Sequence, residues 1–232
     1  LISGDLKEEH FVCLLGIYQY VSRKIVLINL GILISGRGSN MAAILSAIKS
    51  GNIKNINPAV VISNRTDAAG LKVAREDFGI PTEIVQSQGL KGWDYDKKVI
   101  SVLKKYDVRS RYGLVCLAGF MRLISAEFVK EYPMQILNIH PSLLPSFPGL
   151  HAQKQAIEYA VKVSGCTVHF VDQGLDSGPI VLQRAVEVMD SDTEEELSER
   201  ILRKEHELYP EAVRLFTEGK IKIMGRKVLL GR

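Results

Sequence analysis

Four stretches of the chain carry side chains whose types and spacing could do chemistry. In Leu137-Asn138-Ile139-His140-Pro141-Ser142 an amide and an imidazole stand two residues apart. On a strand, positions i and i+2 share a face, so Asn138 and His140 project together. Such a pair can stabilise a developing oxyanion and move a proton. Thr167-Val168-His169-Phe170 repeats the spacing with Thr167 and His169. Asp176 then follows in the glycine-flanked loop Gly174-Leu175-Asp176-Ser177-Gly178. A carboxylate leaning over His140 would favour the charged imidazolium. The turn Ser35-Gly36-Arg37-Gly38-Ser39-Asn40 opens a helical pattern, and helix starts offer unpaired N–H groups and a positive dipole end to an anion. Last, Gly119-Phe120-Met121-Arg122-Leu123-Ile124 could line an apolar slot for a flat ring. Taken singly, each stretch also fits a plainer role. These are a tight β–α turn, a strand-end pair bonded to backbone, a solvated turn aspartate, and core packing.

The elements that must position these residues follow from the hydrophobic pattern. Short apolar runs are expected as strands over 29–35, 59–63, 82–85, 113–118 and 136–140. Helical patterns separate them, over 39–49, 68–78, 95–106 and a short stretch from Ser125 to near Pro133. Strand and helix alternating, with strands apolar throughout, is the signature of a parallel sheet covered on both faces. Beyond Pro148 the pattern changes. A helix is expected over 151–162, then strands over 166–171 and 179–188 as an antiparallel pair. Thr193-Glu194-Glu195-Glu196 spells a capping box opening a long helix to about Thr217, which Pro210 is expected to kink or split. A final edge strand is expected over 221–230. The fold class is thus α/β, doubly wound, with a mostly parallel sheet and a C-terminal antiparallel part. In such sheets ligands bind at the carboxyl ends of the strands, where Asn138 and His140 fall.

Composition narrows the classes. The chain has 232 residues, 46% hydrophobic and 24% charged, with a net charge of +4. That is an ordinary globular mix, with no transmembrane run and no block of like charge calling for nucleic acid. Cys13, Cys116 and Cys166 form neither a disulfide framework nor a cysteine-based metal site, so a cytoplasmic protein with buried thiols and no metal is expected. Residues 1–28, with the apolar run Phe11–Val21, are read as an uncleaved N-terminal extension, and 29–232 as a single catalytic domain. The 35–40 turn lacks the third glycine of the dinucleotide fingerprint, having Met41 there, and lacks the Gly-Lys-Ser/Thr of the NTPase loop. It therefore favours a lone phosphate.

Together the segments resemble one family, the folate-dependent phosphoribosylglycinamide formyltransferases. The resemblance rests on LISGRGSN at 33–40, LAGFMRLIS at 117–125, LNIHPSLLPSFPGLHA at 137–152, GCTVHFVDQGLDSGPI at 165–180 and KEHELYP at 204–210. It implies a formyltransferase fold and transfer of the formyl group of 10-formyltetrahydrofolate, a co-substrate, to the amine of 5-phosphoribosylglycinamide in purine synthesis. It implies that Asn138, His140 and Asp176 are catalytic, and that Gly38, Ser39 and Asn40 hold the substrate phosphate. Leu202, Arg203, Lys204 and Glu205 would face the ribotide. Met121, Arg122, Leu123 and Ile124 would line the pterin pocket with Asn138, closed over by Asp172, Gln173, Gly174, Leu175 and Asp176. His151, Thr167 and His169 would support the catalytic groups. The expected partners are these small molecules, not nucleic acid or a membrane; monomer and homodimer both stay open.

Two departures from the family pattern stand out. Gly92, beside Lys91, occupies the place of a folate-side arginine, and Ser177 stands where a glycine is frequent. Formyltetrahydrofolate deformylases and methionyl-tRNA formyltransferases share the motifs but carry further domains, and a non-catalytic binder would not need Asn138, His140 and Asp176.

Overall fold

The computed structural model describes residues 27–231. The extension reading of 1–28 and Cys13 fall almost wholly outside the described residues. Seven strands form one sheet: β1 (Ile28–Ile34), β2 (Ile56–Ser63), β3 (Thr82–Ile84), β4 (Gly113–Leu117), β5 (Ile136–His140), β6 (Val163–Phe170) and β7 (Ile180–Glu187). Their order is β3-β2-β1-β4-β5-β6-β7. The first five run parallel, and β6 and β7 are antiparallel to their neighbours. The central strands are buried on both faces, which is why they read as unbroken apolar runs.

Alternating strand residues feed two cores. On one face Leu30, Ile32, Ile34, Cys116, Leu137 and Ile139 pack with α1 (Ser39–Lys49), α2 (Ala69–Glu76), α5 (Ala152–Glu158) and α6 (Glu194–Thr217). On the other, Leu33, Val60, Val115, Leu117 and Ile136 pack with α3 (Gly92–Lys105) and α4 (Ala126–Glu131). Each fully buried side chain of Leu or Ile size contributes about 1.5–3 kcal/mol. The chain leaves β1 to pair β2 on one side and returns to place β4 on the other. The crevice between the ends of β1 and β4 is therefore a topological switch point.

α6 starts where the capping box predicts. The Thr193 hydroxyl accepts from Glu196 N at 3.2 Å and the Glu196 carboxylate accepts from Thr193 N at 2.8 Å. The expectation that Pro210 kinks or splits this helix is not met as a split: α6 runs on through it as one element. Proline removes one ladder bond, but Leu208, Tyr209, Ala212 and Val213 around it are fully buried. The Tyr209 hydroxyl also reaches the carbonyls of Leu137 and Leu117, at 2.8 and 3.2 Å.

Two other elements differ from expectation. α5 stops at Glu158, short of 162, in a Schellman closure. Val161 N donates to Ala156 O and Ala160 N to Ile157 O, with Ala160 at φ +53°. An alanine takes the left-handed position that glycine usually marks, so the stop is silent in the sequence. The single strand expected over 221–230 is a two-stranded hairpin apart from the main sheet, β8 (Ile221–Met224) and β9 (Lys227–Leu230). Its two-residue turn places Gly225 first, at φ +61°, the position where a tight hairpin turn demands glycine.

Candidate active site

β5 ends in Asn138 and His140, and antiparallel β6 sets His169 opposite Asn138 and Thr167 opposite His140. The four side chains share one sheet face, as the period of two requires. Asn138 Nδ2 lies 3.2 Å from His169 Nε2. His169 Nδ1 lies 2.9 Å from the Phe170 carbonyl. A carbonyl only accepts, so the proton of His169 sits on Nδ1 and its Nε2 accepts from the Asn138 amide. Burial holds this imidazole below its usual range, in keeping with the neutral tautomer. His140 is 4% exposed, and its Nε2 lies 2.8 Å from the Phe147 carbonyl. The same logic puts a proton on Nε2 and leaves Nδ1 to face Asp176.

Asp176 comes from the loop between β6 and β7, in a left-handed conformation at φ +48°. Its Oδ2 accepts from Gly149 N at 2.8 Å and lies 3.4 Å from His140 Nδ1. Its Oδ1 lies 3.7 Å from His169 Nε2. Asp176, distant along the chain, therefore converges on the Asn138–His140 strand end. The loop is organised around Asp172, which accepts from Gly174 N at 3.0 Å and from the Ser177 hydroxyl at 2.6 Å. Ser177, the departure from the family pattern, thus closes the loop. Thr167 supports the next segment: its hydroxyl donates to Ser142 O at 2.7 Å and accepts from Leu144 N at 3.1 Å. His151 is not part of the cluster; it is exposed at the start of α5, in a left-handed turn.

A cleft of about 530 Å³ opens at the switch point, on the α1–α6 side. Gly38, Ser39 and Asn40 line it, with Gly119 and Met121 from beyond β4 and Ile139 from β5. Ile139 stands between Asn138 and His140, so cleft and polar cluster occupy opposite faces of the same strand end. The first intrahelical bond of α1 runs from Ala42 N to Gly38 O. The N–H groups of Ser39, Asn40 and Met41 precede it and point out of the helix start. Gly38 sits at φ +74°, and a Cβ there would lie 2.9 Å from Gly70 Cα, so only glycine permits this turn.

Asn40 and Glu205 are joined across the floor of the cleft, Nδ2 to Oε2 at 2.7 Å. Glu205 is 6% exposed, and burial pushes its carboxyl above the usual range against the opposing effect of Asn40. The Asn40 side-chain amide is thus engaged by Glu205, and its buried Oδ1 has no partner among the described residues. Leu202 lines the cleft with Glu205, whereas Arg203 and Lys204 do not. Successive helix residues turn by about 100°, so these two face solvent, with Lys204 paired to Glu207 at 3.0 Å.

The 121–124 stretch splits. Met121 and Leu123 are exposed, at 68% and 77%, beside a polar site. Arg122 instead turns its guanidinium over Tyr95, 3.9 Å from the ring centroid, and donates to Leu90 O at 2.9 Å. Ile124 packs into the second core. Sequence reasoning missed several contributors. Ser35 donates to Asn64 Oδ1 at 2.6 Å and accepts from Met121 N at 2.8 Å, tying three strand ends together at the cleft. The Phe147 carbonyl and Gly149 amide are backbone groups, which residue type cannot announce.

Comparison with known proteins gives the class. Residues 28–213 match the family described as formyl transferase, and the chain belongs to that family. Particular relatives are narrower in name. Over 196 residues it is 41% identical to the phosphoribosylglycinamide formyltransferase of Escherichia coli (strain K12), covering 84% of this chain and 90% of that protein. It is 43% identical to the trifunctional purine biosynthetic protein adenosine-3 of Drosophila melanogaster, over 81% of this chain but only 14% of that protein. The chain thus spans a small part of the trifunctional relatives it matches. Among solved structures, glycinamide ribonucleotide transformylase 1 from Symbiobacterium toebii shares the fold with a TM-score of 0.85 and 47% identity, covering 92% of this chain and 99% of that one.

Proposed function

We propose that the chain is a phosphoribosylglycinamide formyltransferase, passing the formyl group of 10-formyltetrahydrofolate to the amine of 5-phosphoribosylglycinamide in purine synthesis. The observation that carries this reading is the approach of Asp176 to His140 Nδ1, 3.4 Å, beside the Asn138 amide and across one strand end from an anion-type cleft. The names of the relatives in E. coli and S. toebii support the same formyl acceptor. Both substrates are soluble small molecules, and the reaction belongs in the cytoplasm. No helix among the described residues is long and apolar enough to cross a membrane.

In this reading the ribotide phosphate sits on the α1 start and its amine reaches over Ile139. The folate lies on the other side, against Met121, Leu123 and the 172–176 loop. The neutral amine attacks the formyl carbon, a C–N bond forms, and the carbonyl electrons move to oxygen. One Asn138 Nδ2 hydrogen is given to His169, and the second donates to that oxyanion. A donor of this kind is commonly worth about 2.7–4 kcal/mol. Phe147 holds the Nε2 proton, so Nδ1 is the nitrogen of His140 that exchanges protons. With His140 as the imidazolium beside Asp176, Nδ1–H gives its proton to the departing folate nitrogen as the oxyanion electrons return and the old C–N bond breaks; the proton the amine loses passes to Asp176 and from there restores Nδ1–H. Holding both substrates over one strand end supplies much of the remaining acceleration.

Absorbance of the folate, followed with and without 5-phosphoribosylglycinamide, tests the reading. Turnover that requires the ribotide supports it. Turnover in its absence would assign a formyltetrahydrofolate deformylase instead.

A further inference from the structure

We propose that Arg37 is a specificity-determining residue that closes over the phosphate of the ribotide from the open side of the cleft, an inference that rests on the substrate reading above. Two arginines line this cleft, Arg37 and Arg65. Arg65 is neutralised by Asp67 in a two-pronged pair, Nη2–Oδ2 at 2.7 Å and Nε–Oδ1 at 3.0 Å. Arg37 makes no hydrogen bond or ion pair among the described residues. It also lines an adjoining cavity of about 270 Å³, together with Glu195, Glu199 and Glu205. No carboxylate there pairs with it, and the Glu205 carboxylate is engaged instead by Asn40, Nδ2 to Oε2 at 2.7 Å.

Charge balance says what the free guanidinium is for. A phosphate monoester carries about −1.5 to −2 at neutral pH. A helix start offers the equivalent of roughly +0.5 together with its N–H donors. The first turn of α1 holds no acidic residue, and Gly38 provides no side-chain cap, so those donors stay open. They still leave about one full negative charge uncompensated, and Arg37 is the cation placed to meet it. On α6 the Arg37 charge also acts on His206, a half-buried imidazole held below its usual range first by desolvation and then by that charge. Lining both cavities with residues of α6, Arg37 stands at the mouth between the α1 start and α6, where a phosphate seated on Ser39 and Asn40 would lie. Its planar fork suits two phosphate oxygens at once.

The test compares 5-phosphoribosylglycinamide with its dephosphorylated riboside as formyl acceptor, for the wild type, Arg37→Gln and Arg37→Lys. Arg37→Gln should lower kcat/KM for the ribotide about tenfold to a hundredfold, the range for losing a hydrogen bond to a charged group. The loss should lie in KM, and kcat/KM for the riboside should stay within twofold. Arg37→Lys should recover part of the loss, keeping charge without the fork. An equal loss on both acceptors, or no loss on either, overturns the role of Arg37 and leaves the phosphate cleft standing. A wild type that does not prefer the ribotide to the riboside overturns the cleft reading itself.

Discussion

Asn138 and His169 face each other across the antiparallel β5–β6 pair, with 3.2 Å between the amide nitrogen and imidazole Nε2. Because Phe170 O holds the other ring nitrogen, at 2.9 Å, His169 can only accept here. The amide of Asn138 is thereby fixed in one orientation. One N–H is spent on His169, and the other is left for substrate.

Asn138→Ala should therefore lower kcat about 10²–10³-fold, the usual loss for one oxyanion donor, with KM for the ribotide changed little. His169→Gln should produce a smaller fall in kcat, because it loosens the amide without removing it. Steady-state kinetics on the two variants checks the ordering; a larger effect at His169 would show that the amide is not the donor.

Glu205 is a carboxyl whose folded form prefers its proton. Between the unfolded value near 4.5 and the higher folded value, the native state binds more protons, so stability falls as pH rises through that window. Glu205→Gln should raise Tm at pH 7, keep the bond from Asn40, and lose its advantage as pH approaches 4. The same variant should weaken ribotide binding. Thermal melts across pH, with ribotide titration, check both halves.

His169 and His206 shift the other way, each lowered by burial. The unfolded chain takes up protons near pH 6.5 while the folded chain resists, so stability is lost as pH drops below about 6.5. Tm should fall between pH 7.5 and 5.5, and His169→Gln should flatten that slope. An unaltered slope would mean His169 is not buried as a neutral group.

Tyr209→Phe removes the hydroxyl shared by the Leu137 and Leu117 carbonyls under the site. Leaving buried acceptors short costs about 1–3 kcal/mol. In a chain of this size each kcal/mol moves Tm by about 2–4 °C. Differential scanning calorimetry reads this directly.

Much of the site could be seen in the sequence because its information is local. The period of two put Asn138 with His140 and Thr167 with His169, and the capping box at Thr193 spelled the start of α6. The α/β alternation placed β5 at the carboxyl edge. What the sequence hid was long-range or carried by backbone. The Asn138–His169 pairing depends on the register of β6, which the intervening α5 separates from β5 along the chain. The Phe147 carbonyl and the Gly149 amide have no signature of residue type. Ala160 closes α5 where no glycine warns of it. The burial of Leu208, Tyr209 and Val213 overrides the proline between them. The resemblance grouped Arg203 and Lys204 with Leu202 and Glu205, but helix rotation turns the first two away from the cleft that the other two line.

The central claim is that Asp176 acts through His140 in the chemical step rather than in binding. Single-turnover formyl transfer by Asp176→Ala, with the ribotide Kd measured on the same preparation by calorimetry, tests it most directly. The account predicts a loss of about 10²–10⁴-fold in the transfer rate, the scale of positioned acid–base catalysis, with Kd within a few-fold of wild type. A near-normal transfer rate, or a loss wholly explained by weakened ribotide binding, would contradict it.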